Sequence, residues 1–226
     1  MANTKALTAE FIGTFFLCFA GIAAILSNTP VVGANMGIVG IALAHGLALS
    51  VGVSVFGGVS GAHFNPAVTI SLLSTGRIKL PAALGYIVTQ LASATLAAFV
   101  CKSIFPPEAT AAANLGIPLP AAWVSTSTLI LCEFVLTFLL VTSIYGTAID
   151  ARGQVVSIGG FGIGFAVAFD ILAGGAVTGA SMNPARSFGP ALIQGDFHLH
   201  IFYWIAPILG AVAAAQVYEH LILEKN

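Results

Sequence analysis

Val177-Thr178-Gly179-Ala180-Ser181-Met182-Asn183-Pro184-Ala185-Arg186 decides how this chain is read, because Val59-Ser60-Gly61-Ala62-His63-Phe64-Asn65-Pro66-Ala67 matches its first nine positions at six, with an offset of 118. In each copy a run of small residues leads to Asn-Pro-Ala and then to a short apolar segment. Proline at the first helical position costs nothing, since its missing N–H would be unpaired there anyway, and Asn is a preferred cap just before it. Both triplets therefore predict helix starts, and their pairing predicts one device built twice.

Composition sets the medium. The chain has 226 residues, of which 58% are hydrophobic and 7% charged, and its mean hydropathy is +1.02. A soluble domain carries about 25% charged residues, so this chain is expected to lie in a lipid bilayer. A formal net charge of -1 leaves no basic face for nucleic acid. Cys18, Cys101 and Cys132 lie in or beside apolar runs without metal-ligand spacing. They read as packed thiols, and neither a metal nor a cofactor is expected. Lys5 ahead of the apolar run Phe11 to Leu26 has the outline of a secretory signal. Glu10 at its start and a counterpart later in the chain make it the first span instead.

A helix needs about 20 apolar residues to cross the hydrocarbon core. Six segments qualify: 7–27, 36–56, 81–101, 126–146, 155–173 and 200–222. Two runs, 66–74 and 184–194, are too short to cross, so they and the loops before them are predicted to be re-entrant half-helices, tolerated only where buried in protein or lining water. Glu10-Phe11-Ile12-Gly13-Thr14-Phe15 matches Glu133-Phe134-Val135-Leu136-Thr137-Phe138 at four of six positions. With three spans per half the second copy must enter upside down. The expected fold is one all-α membrane domain over 1–226, with inverted repeats near 5–101 and 126–222 and a working site near midplane. Lys5, Arg77, Lys79, Arg152 and Lys225 share one side, which the positive-inside rule makes cytoplasmic along with both termini.

Two other classes share parts of this pattern. Gly58-Val59-Ser60-Gly61 fits the GxSG of rhomboid-like intramembrane serine proteases, which need a histidine to activate the hydroxyl. His198, His200 and His220 lack the GHxxG context, and the pattern repeats as Ala176-Val177-Thr178-Gly179, where no nucleophile is expected, so no catalytic residue is assigned. A secondary transporter would need more midplane charge than Asn65, Asn183 and Arg186 provide.

SGAHFNPAVT at 60–69 and TGASMNPARSFGPA at 178–191, placed at mirrored positions, resemble the aquaporins of the major intrinsic protein family over essentially the whole chain. The resemblance implies the aquaporin fold, a homotetramer in the bilayer, and passive passage of water and small neutral solutes with exclusion of protons and ions. Asn65 and Asn183 would line the pore at midplane. His45, Ile171, Ala180 and Arg186 match the family's selectivity filter. His, Ile, Ala and Arg together are similar to the tonoplast intrinsic proteins and to relatives that also pass ammonia or hydrogen peroxide, where strict water channels have Phe and His at the first two positions. A glycerol channel is the alternative, but glycerol facilitators place Asp after the Arg, where this chain has Ser187. The 102–125 loop lacks the additional His with which some plant relatives hold the Arg.

Glu10 and Glu133 admit two roles, a proton or cation relay and support of the re-entrant loops. The need of buried loops for internal partners favours support. Asp170, beside Ile171, reads either as a tie to the outer loops or as a tuner of Arg186. His63 is expected to be structural or to line the cytoplasmic vestibule.

Overall fold

A computed structural model describes residues 3–155 and 158–224. The described residues form helices, turns and loops with no strand. The elements are α1 (Thr4–Ser27), α2 (Gly37–Ser60), α3 (Pro66–Ser74), α4 (Leu80–Ile104), α5 (Pro107–Ala112), α6 (Thr126–Ile144), α7 (Ala151–Gln154), α8 (Phe161–Thr178), α9 (Pro184–Gln194) and α10 (Phe202–Val217). Two π-helical turns, Tyr145–Ile149 and Tyr218–Ile222, extend α6 and α10. Among the described residues six helices are long and apolar enough to span a bilayer. α3 and α9 are the two half-helices, with the bounds that the sequence predicts.

Two spans depart most from the sequence reading. The apolar run suggests a fifth span at 155–173, yet α8 starts at Phe161 and continues to Thr178. Gly159, at φ +60°, and Gly160 break the chain before it, and only Gly179, at φ +82°, ends it; residues 156–157 lie outside the described residues. The second span runs on through Gly57 and Gly58 to Ser60, because termination waits for Gly61 at φ +84°. In both halves the helix stops at the glycine that can adopt the left-handed cap.

The spanning helices form a ring in which α1 packs on α2 and α4, α2 on α8, α8 on α6, and α6 on α10. Each half-helix then packs on the last span of the other half, α3 on α10 and α9 on α4. Close approach depends on missing side chains. A Cβ at Gly164 would strike the Gly46 carbonyl and Ser50 Oγ at the α2–α8 contact, and one at Gly189 would strike the Ala94 carbonyl at the α4–α9 contact. Small residues serve because lipid supplies no hydrophobic drive between helices, and backbone proximity has to supply the attraction.

At one end of the bundle the segments that share a side in the sequence reading are tied together. Arg77 pairs with Glu219, Nε to Oε2 at 2.7 Å, and lies over the Tyr145 ring. Arg152 pairs with Asp150 at 2.6 Å and with Glu224 at 2.9 Å. Lys225 lies outside the described residues. The Arg152 guanidinium holds the Asp150 carboxyl at about 2, below its ordinary 3.8. A group whose pKa is lowered by folding stabilises the fold above its unfolded value and ceases to as the pH falls through the folded one. Asp150→Asn is therefore expected to lower the melting temperature of the detergent-solubilised protein at pH 7. The gap from wild type should close as the pH drops from about 4 toward 2; a gap that stays constant across that range would contradict the pairing.

Candidate functional site

The site begins with two loops in an unusual backbone conformation. Gly61, Ala62 and Phe64 have φ of +84°, +50° and +48°, and Gly179, Ala180 and Met182 have +82°, +44° and +52°. A non-glycine residue in the left-handed region costs roughly 1–2 kcal/mol, so each loop carries two such penalties and must be held. Glu10 on α1 accepts from the backbone N–H groups of His63 and Phe64 at 2.9 and 2.8 Å, and from Ser60 Oγ at 2.7 Å. Glu133 on α6 accepts from those of Ser181 and Met182 at 2.9 and 2.8 Å, and from Thr178 Oγ1 at 2.7 Å. Hydrogen bonds to a charged group contribute about 1.5–3 kcal/mol each, enough to offset the strain. Gly13 leaves the room that the Phe64 ring fills.

Each loop ends in an asparagine that divides its amide between two tasks. Asn65 Oδ1 accepts from the Ala67 N–H, and Asn183 Oδ1 from the N–H groups of Ala185 and Arg186, which caps α3 and α9. Asn65 Nδ2 donates to the Met182 carbonyl at 2.9 Å, and Asn183 Nδ2 donates to the Phe64 carbonyl at 3.0 Å. The loops are thus stitched to each other. An amide carries two N–H donors, so each asparagine keeps one that is not used in these bonds, and both side chains line the inner cavity.

Two cavities of about 340 and 370 Å³ run along the axis. The inner one extends from His45 and Arg186 past Asn65 and Asn183 to Arg77, Ala148 and Ile149, and the outer one opens between Asn28, Ile38 and the 113–119 segment. They share three lining residues, His45, Ile171 and Arg186. Ala180 lines the inner cavity just below. Arg186, 4% exposed, donates from Nη1 to the Gly116 carbonyl at 2.7 Å. His45 Nδ1 lies 2.9 Å from the Ile41 carbonyl. A carbonyl can only accept, so Nδ1 carries the proton and Nε2 is left as an acceptor. His63 also lines the inner cavity, its Nδ1 3.1 Å from Thr69 Oγ1.

Several residues of the site are absent from the sequence reading. Tyr86 on α4 donates to the Ser60 carbonyl, and Tyr203 on α10 donates to that of Thr178, each closing the C-terminus of the helix before a loop. An offset of 117, one less than at the triplets, pairs these tyrosines. Gln90 donates to both Glu10 and Thr69. The Gly116 carbonyl had no signal, because any residue can present a carbonyl. Asp170 is fully buried, and neither of its carboxylate oxygens has a hydrogen-bond partner among the described residues. Neither a bond to the outer loops nor one to Arg186 is formed.

Comparison with known proteins agrees over the full length. Residues 1–218 match the family model described as Major intrinsic protein. The chain is 40% identical over 228 residues to Aquaporin TIP4-4 of Zea mays, covering 98% of this chain and 88% of that protein. It is 36% identical over 230 residues to Aquaporin TIP2-1 of Arabidopsis thaliana, covering 99% and 89%. The X-ray structure of the aquaglyceroporin from Plasmodium falciparum superposes with a TM-score of 0.81 over 96% of each chain, at 23% identity, which establishes the fold alone.

Removing a loop carboxylate tests the architecture. Glu133→Ala and Glu10→Ala each strand two buried N–H groups, at about 1–3 kcal/mol apiece. Both variants are expected to melt earlier and to conduct water poorly per reconstituted molecule. Glu133→Gln, which keeps one acceptor oxygen, should fall between. Wild-type stability and flux in Glu133→Ala would show that the loop is held by something else.

Proposed function

The chain belongs to the major intrinsic protein family, and from that membership and the pore just described we propose how it selects its cargo. The protein is a passive channel for water and an integral, multi-pass membrane protein. We assign the selectivity filter to His45, Ile171, Ala180 and Arg186, and the proton barrier to the midplane around Asn65 and Asn183. The observation that carries the assignment is that the outer and inner cavities meet at His45, Ile171 and Arg186.

The barrier follows from charge and donor direction. α3 and α9 point their N-termini at the paired asparagines, and each helix end carries roughly +0.5 of a charge. Cations and hydronium meet repulsion there. A water that accepts from the free N–H of both asparagines turns its own hydrogens outward, so a continuous donor chain through midplane is broken. Glu10 and Glu133 support the loops in this scheme. Their oxygens are taken up by bonds to the loops and, for Glu10, to Gln90, which supports the loop-holding reading over a relay.

The solute range is set by one apolar wall. Ile171 offers no donor at the constriction, whereas His45 and Arg186 do the polar recognition. Small neutral molecules that carry their own donors and acceptors, ammonia and hydrogen peroxide, are the proposed cargo beyond water, and the TIP-type relatives are similar over the same stretch. No catalytic role is assigned: Ser60 Oγ donates to Glu10, and no histidine among the described residues is bonded to it. We further propose cytoplasmic termini, from the basic residues gathered at the end where Arg77 and Arg152 lie, and a homotetramer, with inverted repeats near 5–101 and 126–222.

Proteoliposome flux measurements test this. Wild type should accelerate osmotic water flux without collapsing a proton gradient. Arg186→Val should admit larger solutes, and His45→Phe with Ile171→His should suppress ammonia and peroxide flux while water flux persists. Unchanged ammonia and peroxide flux in that double variant would remove the filter assignment.

A further inference from the structure

We infer that Asn114 and Asp196 are positioning residues for selectivity, the link by which the far end of α9 fixes the carbonyl that holds Arg186. The inference rests on the assignment of Arg186 to the filter.

Its first ground is the conformation of the outer loop. Asn114, Leu115 and Gly116 are consecutive left-handed residues, at φ +45°, +50° and +73°. Asparagine adopts that region readily, but Leu115 takes it at a steric cost. This turn delivers the Gly116 carbonyl to Arg186 Nη1. Unaided, such a turn would relax and take the acceptor with it.

Two anchors hold it. The Leu115 side chain is fully buried in a cluster with Ile22 and Leu26 of α1 and Ala98 and Cys101 of α4. On the other side Asn114 Nδ2 donates to Asp196 Oδ2 at 2.8 Å. Asp196 is itself fixed. Its Oδ1 accepts from the His198 N–H at 3.0 Å, and its own N–H donates to the Ala191 carbonyl at 3.1 Å, just past the Gly195 cap of α9. The His198 N–H and the Asn114 amide also keep the Asp196 carboxyl below its ordinary value, so the acceptor remains ionised at neutral pH. Lys102 Nζ completes the frame by reaching the Ile193 carbonyl and Gln194 Oε1 from α4.

The connection is a closed circuit. α9 carries Arg186 in its first turn and Asp196 two residues beyond its last, and the 114–116 turn bridges the two. A rigid helix about 16 Å long therefore sets the distance between the cation and the anchor of its acceptor. Buried charge left without its hydrogen bond is costly, so when the bridge fails Arg186 must move, and the constriction moves with it.

The test is the ratio of urea to water permeability in proteoliposomes, measured beside melting temperature. Asn114→Ala and Asp196→Ala are expected to raise the ratio about fivefold, the population change that loss of one ordinary hydrogen bond allows. Asn114→Asp sets two carboxylates together and should raise it as well. Asn114→Asp combined with Asp196→Asn reverses donor and acceptor and should return the ratio to wild type, which a merely structural defect would not do. Arg186→Val is the control for the filter itself. If it raises the ratio while Asn114→Ala and Asp196→Ala do not, the inference is overturned and the filter stands; if the folded double exchange fails to restore the ratio, the direct link is likewise overturned. An unchanged ratio in Arg186→Val would overturn the filter assignment, and this inference with it.

Discussion

Backbone taken out of a helix at membrane depth has no water to bond with, and every N–H and C=O must find a partner inside the protein. Two buried carboxylates, Glu10 and Glu133, answer that demand, and the rest of the pore depends on them. Each takes two consecutive N–H groups from a loop whose alternating left-handed residues no helix or strand could pair. The same loops line the inner cavity through Ala62, His63, Ala180 and Ser181. The pore lining is thus a by-product of satisfying the loop's donors.

That solution requires the two halves to be interdependent. Each asparagine caps its own half-helix and binds a carbonyl of the opposite loop. Each half-helix packs on the last span of the other half. Neither half could complete its loop alone, because the Asn65 amide ends on Met182 and the Asn183 amide on Phe64. A change in one loop should therefore be felt in the other, at midplane rather than at a surface.

The parts legible in the sequence were those in which a residue type is forced by the chemistry. Proline after asparagine marked both half-helix starts, and glutamate in an apolar span stood out because its cost demands a partner. What stayed hidden was of two kinds. Gly116 acts through its carbonyl, which carries no sequence signature, and Leu115 takes a left-handed conformation that its identity argues against. Tyr86 and Tyr203 were hidden differently: a tyrosine in a span is ordinary, and only an offset of 117, one less than at the triplets, pairs the two. The start of the fifth span was misplaced because apolar residues continue across Gly159-Gly160, and hydropathy does not register where a backbone can turn.

Where the repeats diverge, the channel acquires its direction. Val68 and Arg186 occupy equivalent positions after the two triplets, and both line the pore. Only one is charged. Gln90 has Pro207 as its counterpart, so Glu10 receives a side-chain amide that Glu133 lacks. Ser93 donates to the Phe11 carbonyl, whereas its counterpart Gly210 lets the helix close directly on the Phe134 carbonyl. The symmetric residues build a barrier that treats both directions alike, and a symmetric protein would need two arginine constrictions, each with its own buried charge to compensate. Confining the arginine to one half halves that electrostatic cost. It also leaves the inner cavity apolar along Val68, Leu72, Leu140 and Val167, where water has few partners to detain it once past the filter.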